Sequence, residues 1–519
     1  MSDQKRELSA LLSSAALVMV GGIVSTAANL GERIVIGRLL SPDAYGEVSV
    51  GLALLMFALT VALAGCPQGV SRYIPRYKAV EDRRGVWLSG VMITAGLSAL
   101  FGGAMFVFAD AIATQLFETN EAVSFVRLLA IAIPFTASFR IAVAAIRGYE
   151  NTIYRTVIQN FLDPFLRIAL IALLIVAGMG IVAAGAAYLL AAALTLVVSL
   201  VFLQRLMPLR GKYRTHVREL FTFSLPLVVS SVIGVLLIQT DTLMLGYFRS
   251  SYEVGLYNAA YPLATGLTVA LSAFGFLYLP IASRLDADGE HDAIDDIYAT
   301  STKWVYVVTF PLFLLLVVFP QDMISLFFGA SYTDAASVLP ILAAGFFLSV
   351  AAGRDRETLS AVGATTWIAI GNVVGLVVNV GINLALIPRY GFMGAGIASV
   401  TSLVTVHVVI CGILAFKYGI TPFSPEALRS YVALPLILLP IAAALSSWAT
   451  LSLLTLLPAL IVVGLTSLVI VGLVGGLEPD DAVVIDLLED NTGVTIPYVR
   501  RWMPEDDSNG ENVDSLSAD

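Results

Sequence analysis

The chain has 519 residues, 58% of them hydrophobic and only 13% charged, with a mean hydropathy of +0.88. No soluble domain of this length carries such a composition, so the chain reads as an all-α integral membrane protein. A net charge of −9 and a pI near 5.0 argue against a nucleic-acid partner, and two cysteines are too few for a disulfide framework or a thiolate metal site.

A hydrocarbon core of about 30 Å takes about 20 helical residues to cross, and apolar runs counted on that basis give about fourteen spans. The first bundle has six, near residues 9–37, 44–66, 86–109, 123–146, 156–178 and 181–204. Lys5 and Arg6 precede the first run, but that run is longer than a signal-peptide core and lacks a small-residue cleavage site, so it is read as a retained helix. Six more spans fall near 220–247, 254–282, 302–320, 335–353, 364–387 and 392–416, and a last pair near 430–449 and 453–476. After Gly476 the composition changes to a short amphipathic stretch, an Arg500/Arg501/Trp502 segment suited to the headgroup layer, and a polar acidic end expected to be disordered.

Basic residues concentrate in alternate loops: Arg72, Arg76, Lys78, Arg83 and Arg84, then Arg147 and Arg155, then Arg205, Arg210, Lys212, Arg214 and Arg218. The positive-inside bias puts these loops in the cytoplasm, and an even number of spans puts both termini there as well. Basic residues are mostly arginine, and scarce lysine with excess acid suits a salt-adapted cytoplasm.

The second bundle repeats the first. Glu32–Gly46, ERIVIGRLLSPDAYG, aligns without gaps on Asp241–Gly255, DTLMLGYFRSSYEVG, matching Ser41 to Ser250 and Gly46 to Gly255. GIVAAGAA from Gly180 matches GFMGAGIA from Gly391, and FADAIATQLF from Phe108 matches FPQDMISLFF from Phe319, at nearly the same offset. The expected organisation is two homologous six-helix bundles, 1–210 and 211–420, two appended helices within 421–476, and a cytoplasmic tail over 477–519. Such a repeat is the plan of a secondary transporter whose site lies between its halves.

Polar groups inside apolar spans are costly unless they line a cavity or meet a partner, so they are the candidate site. Ser25, Asn29, Glu32 and Arg33 form one stripe on the first span; Asn160, Asp163 and Arg167 form another on the fifth, the last two spaced to pair. Arg127 and Arg140 on the fourth span, Gln239 and Asp241 on the seventh, Asn258 and Tyr261 on the eighth, and Asn372 and Asn379 on the eleventh complete the set. Charges near span ends, among them Glu32, Arg33, Asp241, Arg127 and the Gly353–Glu357 cluster, read equally well as interfacial anchors or ion pairs. His407 and Cys411 are four apart on the twelfth span, but two ligands do not make a metal site and packing is the simpler reading. No phosphate-binding loop or catalytic triad pattern is present, so no catalytic residues are assigned.

RLLSPDAYG after the first span, GVSRYIPRY after the second, IRGYENT with IQNFLDPFLRI across the fourth and fifth, and FSLPLVVSSVIGVLLIQTDTLMLGYFRSSYEVGLYNAA opening the second half resemble the polysaccharide-export, Wzx-type flippase branch of the multidrug/oligosaccharidyl-lipid/polysaccharide exporter superfamily. The resemblance covers about residues 7–476. It implies two six-helix lobes around a cavity open to one side at a time, and a polyprenyl or dolichyl phosphate-linked oligosaccharide carried from the cytoplasmic to the outer leaflet of the cell membrane. Inward arginines with Asn and Tyr suit an anionic, hydrated headgroup. No cofactor is expected; a coupling ion, Na+ or H+, is left open. Expected partners are the lipid-linked glycan, membrane lipid, and glycosyltransferases or a polymerase of the same pathway, around a monomeric transporter. Two other readings are a cation-coupled multidrug exporter, with Asp163 or Asp241 as the exchanging carboxylate, and a membrane-embedded glycan polymerase or transferase, against which the short internal loops argue.

Overall fold

The computed structural model describes residues 2–273, 278–478 and 481, with side-chain surroundings given from Val20 onward and not at 272 and 273. The amphipathic and acidic tail expected after Gly476 thus falls outside the described residues, apart from Leu477, Glu478 and Asp481. Among those described, every regular element is helical. The chain runs through α1 (Ser2–Leu39), α2 (Pro42–Leu63), α3 (Cys66–Tyr73), α4 (Val80–Val107), α5 (Ala109–Leu116), α6 (Ala122–Gly148), α7 (Thr152–Thr156), α8 (Asp163–Val176), α9 (Val182–Leu206) and α10 (Val217–Phe248). It continues with α11 (Ser251–Thr265), α12 (Val269–Ala273), α13 (Tyr278–Asp288), α14 (His291–Val318), α15 (Pro320–Phe327), α16 (Leu339–Ala351), α17 (Asp355–Ala361), α18 (Thr365–Ile413), α19 (Pro425–Ser446) and α20 (Leu453–Leu473).

Among the described residues ten helices are long and apolar enough to cross a membrane, or eleven counting one bent pair as a crossing. Two places account for much of the difference from the sequence expectation. The runs at 364–387 and 392–416 meet within α18, which is two helices joined by a kink at Gly391, where a backbone of φ 56, ψ −135 that only glycine adopts easily separates them as the sequence does. The run at 254–282 is broken into α11, a 3-10 turn at Gly266–Thr268, α12 and α13, with Pro262 and Gly266 weakening the helix at the break. The run at 335–353 follows a 3-10 segment, Ala330–Ser337, from which the helix bends by 59°.

Local chemistry sets the other boundaries. Ser41 caps α2 by accepting from the Ala44 amide at 3.3 Å, with Pro42 in the first helical position and Asp43 in the first turn. Ala64 and Gly65, both with left-handed φ, end α2 and start α3. Between α7 and α8 the backbone forms a π turn over Val157–Leu162. Pro164 explains it: the ring has no N–H for the carbonyl one turn back and crowds it, and widening the turn relieves both.

The chain forms two compact units. The first comprises residues up to Pro262 with Phe327–Val338 and Asn372–Ser402; the second, Leu263–Leu326, Leu339–Gly371 and the chain from Leu403 onward. In the first, Val70, Ile74, Trp87, Ile141 and Ala145 from α3, the 3-10 turn after it, α4 and α6 are buried together. Gly46 on α2 lies directly against α11: a Cβ there would run into the Ser251 carbonyl, and one on Gly255 into the Pro42 carbonyl. In the second unit α14 is central, with Phe313 stacked on Phe347 at 4.1 Å. The chain past α20 is tied to it: the buried Lys303 ammonium lies 2.6 Å from Asp481 and 3.0 Å from Glu478, and Trp304 Nε1 donates to Asp481 at 2.7 Å.

Candidate functional site

Within the first unit α1, α2, α6, the α7–α8 segment, α9 and α10 enclose a cavity of about 630 Å³. The α1 stripe expected from sequence faces it, with Ser25, Asn29, Glu32 and Arg33 all in the wall. Opposite, Arg155, Gln159, Asp163 and Arg167 recur every four residues along α7, the π turn and α8, and all four line the same space. Arg140 and Arg147 enter from α6, Tyr188 from α9 and Gln239 from α10. Eight of the residues expected at the site, Ser25, Asn29, Glu32, Arg33, Arg140, Asp163, Arg167 and Gln239, are brought together here.

One ion cluster organises the wall. The Arg167 guanidinium lies 2.8 Å from Glu32 and 3.2 Å from Asp163, and donates to Asn29 Oδ1 at 3.1 Å. Tyr188 donates to the other Glu32 oxygen at 2.5 Å, and its ring lies under the Arg167 guanidinium, 5.0 Å from the centroid. Glu32 is 4% exposed, so its charge is held by the pair and the tyrosine rather than by water. The cluster ties α1 to α8 and α9, and it uses up most of the hydrogen-bonding capacity of Arg167. Five arginines against two carboxylates leave the cavity wall with a formal surplus of three positive charges.

The remaining expected residues sit elsewhere in the same unit. Asp241, 1% exposed, is enclosed by donors: Asn383 at 2.7 Å, Ser399 at 2.8 Å, and Asn379 and Tyr257 at 2.9 Å. Asn258 bonds Thr242 and the Val254 carbonyl, and its own carbonyl accepts from Tyr45 at 3.0 Å. Tyr261 packs on Tyr257 with ring centroids 5.6 Å apart; Asn160 packs against Gly21 of α1. Asn372 has a buried Oδ1 that no hydrogen bond from the described residues reaches. In the second unit His407, read from sequence as packing, has Asp355 2.7 Å from Nδ1, with the Cys411 sulfur 4.0 Å from the same carboxylate oxygen. Among the described residues no group of three or more His, Cys, Asp and Glu could hold a metal ion.

Sequence reasoning missed Arg147, Arg155, Gln159 and Tyr188 in the cavity, and Asn383 and Ser399 around Asp241. The four-residue recurrence 155–159–163–167 was available as a signal, but Arg147 and Arg155 sit at span ends and read as loop charges. Tyr188 carries no signal, because a tyrosine in an apolar helix is as readily an interface anchor.

The chain is similar to known proteins over most of its length. The family model described as polysaccharide biosynthesis protein matches residues 11–286, more than half the chain, and the MatE model matches 226–385. A relative from Haloferax volcanii, named "Probable low-salt glycan biosynthesis flippase Agl15", is 29% identical over 191 residues, 36% of this chain and 40% of that protein. The succinoglycan biosynthesis transport protein ExoT of Rhizobium meliloti is 24% identical over 310 residues, 60% of each. This chain therefore aligns with less than two thirds of the length of either relative. Among solved structures, that of the lipid II flippase MurJ in an inward closed conformation superposes with a TM-score of 0.70 at 12% identity, covering 86% of this chain and 97% of that one.

Proposed function

The chain belongs to the polysaccharide biosynthesis protein family, in the polysaccharide-export branch of the multidrug/oligosaccharidyl-lipid/polysaccharide exporter superfamily, and from that premise we propose that it is a flippase. Its cargo is a polyprenyl or dolichyl phosphate-linked oligosaccharide, carried from the cytoplasmic to the outer leaflet of the cell membrane by alternating access. The observation that carries this reading is the arginine surplus in one polar cavity. Drawing a phosphate and a hydrated glycan through hydrocarbon unaided is prohibitive, and the cavity supplies guanidinium, amide and phenol groups in place of their water. The hydrocarbon tail stays in the bilayer, so the wall has only the head to accommodate. The names of Agl15, ExoT and MurJ support the same reading.

The proposal includes fourteen crossings: α18 counts as two, split at Gly391, and α1 and the broken α11–α13 segment count as one each beside the remaining long helices and the bent pair. It includes rocking of residues 1–210 against 211–420, both termini in the cytoplasm, and a monomer working beside glycosyltransferases of its pathway. A coupling ion, Na+ or H+, would act at Asp241, whose carboxylate and neighbouring Asn, Ser and Tyr oxygens are hard donors.

A multidrug exporter of the same superfamily would need a cavity carboxylate free to exchange a cation for drug. Asp163 is committed to Arg167 and Glu32 to Arg167 and Tyr188, and cationic drugs are repelled by the surplus arginines. A membrane-embedded polymerase or transferase needs an extramembrane catalytic loop, whereas the longest non-helical connection among the described residues is the ten residues 207–216. The deciding test is reconstitution: purified protein in liposomes should move a fluorescent polyprenyl-phosphate glycan to the leaflet where an impermeant quencher reaches it. No acceleration over empty liposomes, with no glycan missing from the surface of cells lacking the protein, would remove the flippase reading.

A further inference from the structure

The arginines of the cavity fall into two levels. α6 and α7 leave one tight turn, in which Glu150 has a left-handed φ of 58, so Arg147 and Arg155 form the pair nearest that turn. Arg140 is seven residues back along α6, on the same face and about 10 Å deeper at 1.5 Å per residue. At the deep level Arg33, Arg140 and Arg167 face Glu32 and Asp163, and Arg167 is already engaged by Glu32, Asp163 and Asn29. At the turn level there is no carboxylate in the wall. Arg147 and Arg155 make no ion pair among the described residues, and both line the wall, one on either side of the turn. Two guanidiniums brought together without a counter-charge are the strongest attractor for an anion in this cavity.

The depth of that pair in the membrane follows from its neighbours. Gly148 packs against Ile74, and the Arg83 guanidinium lies 5.3 Å from the centre of the Tyr149 ring. The turn therefore sits against the Arg72–Arg84 loop, one of the two most basic of the loops assigned to the cytoplasm. A carrier phosphate is bonded to a hydrocarbon chain that remains in its leaflet, so before transport it lies at headgroup depth and not at the middle of the bilayer.

Resting on the flippase reading, the geometry points to Arg147 and Arg155 as the anchor for the carrier's phosphate group during loading, with the glycan extending inward along Asn29, Gln159, Tyr188 and Gln239. Arg167 holds the cavity's shape and does not hold phosphate. A bidentate guanidinium fork from each of two helices matches the several acceptor oxygens of a phosphate monoester or diester. Neutral amides and a phenol suit sugar hydroxyls on the deeper wall.

The test is binding to the full-length protein in nanodiscs of zwitterionic lipid. The probes are a polyprenyl phosphate, a polyprenyl diphosphate, the uncharged polyprenol of the same length, and phosphatidylglycerol. Wild type should bind both phosphorylated carriers at least tenfold more tightly than polyprenol or phosphatidylglycerol. R147A/R155A should lose that preference and leave polyprenol binding unchanged. R147K/R155K keeps both charges but not the fork geometry, and should weaken carrier binding several-fold at unchanged Tm; it is the deciding variant if the alanine pair does not fold. A full preference retained in either double variant overturns the anchor while leaving the flippase reading intact. Equal binding of phosphatidylglycerol by wild type makes the pair a general anionic-lipid site and also overturns it. No preference for phosphorylated carriers in wild type removes the flippase reading itself.

Discussion

Gly46 and Gly255, equivalent positions in the two sequence repeats, lie against each other in the fold, and the contact is reciprocal. The place of a Cβ on Gly46 is taken by the carbonyl of Ser251, and that of a Cβ on Gly255 by the carbonyl of Pro42, the residue equivalent to Ser251. Residue i meets j′ as j meets i′, which is the signature of a local two-fold relation between the helices that carry them. Without a hydrophobic force between helices in lipid, such close backbone approach through glycine is a main source of association.

The first prediction follows from that contact. G46A and G255A should each destabilise the protein by about 1–3 kcal/mol, because the helices must separate to admit a methyl group. G46L should not yield folded protein. Thermal unfolding in detergent measures this, and two alanine variants melting with wild type would show that α2 and α11 do not touch in this way.

The second concerns the ion cluster. E32Q leaves the Arg167 charge with Asp163 alone in a largely desolvated wall, and breaking such a pair from one side costs about 3–5 kcal/mol. E32Q/D163N/R167M, which removes the arginine together with both of its carboxylates, should recover much of that loss. A triple variant as unstable as the sum of its singles would mean that the three side chains are not coupled.

How much of this was legible in sequence depended on how local each feature is. The α1 stripe of Ser25, Asn29, Glu32 and Arg33 announces a polar face because helical period alone puts the four together. Asp163 and Arg167 were readable as a pair for the same reason. That Glu32 is the closer partner of Arg167 was not, since 135 residues separate them and no periodicity connects two helices. Hydropathy counts also treat an arginine at a span end as an anchor, whether it reaches for headgroups or into a cavity, which is why Arg147 and Arg155 were assigned to loops. Asp241 was singled out as a costly intramembrane acid, but its cage required Asn383 and Ser399 from either side of the Gly391 break. The break itself was legible, since the two spans read from sequence part between 387 and 392, on either side of Gly391.

Topology gives the third prediction. In a background lacking Cys66 and Cys411, single cysteines at Arg76, Glu150 and Arg210 should resist an impermeant thiol reagent applied to intact cells and react once the membrane is opened. Labelling of all three from outside would invert the orientation and with it the loading side of the cavity.

The fourth concerns the segment after α20. Lys303 is 1% exposed and depends on Asp481 and Glu478 for its counter-charge. Ending the chain at Gly476 should therefore destabilise the protein by about 3–5 kcal/mol, and K303M in the shortened chain should restore most of it. If truncation leaves Tm unchanged, the latch contributes nothing to the fold.

The last prediction separates ion coupling from passive flipping. The cage around Asp241 supplies four donor contacts, from Asn379, Asn383, Ser399 and Tyr257, which satisfy a carboxylate without any cation. Rotating the two amides would turn their carbonyl oxygens inward, and Asn383 Oδ1 is already a buried acceptor with no hydrogen bond among the described residues. The same residues then offer a Na+ a set of oxygens around one negative charge. D241N keeps the volume and removes that charge, so the protein should fold and still bind a phosphorylated carrier, while any dependence of transport on an imposed Na+ or H+ gradient disappears. Transport is read as carrier reaching the quenched leaflet of liposomes, with and without each gradient. Gradient-driven transport that survives D241N at the wild-type rate would place coupling elsewhere. Wild-type transport indifferent to both gradients would leave downstream consumption of the flipped lipid as the driving force.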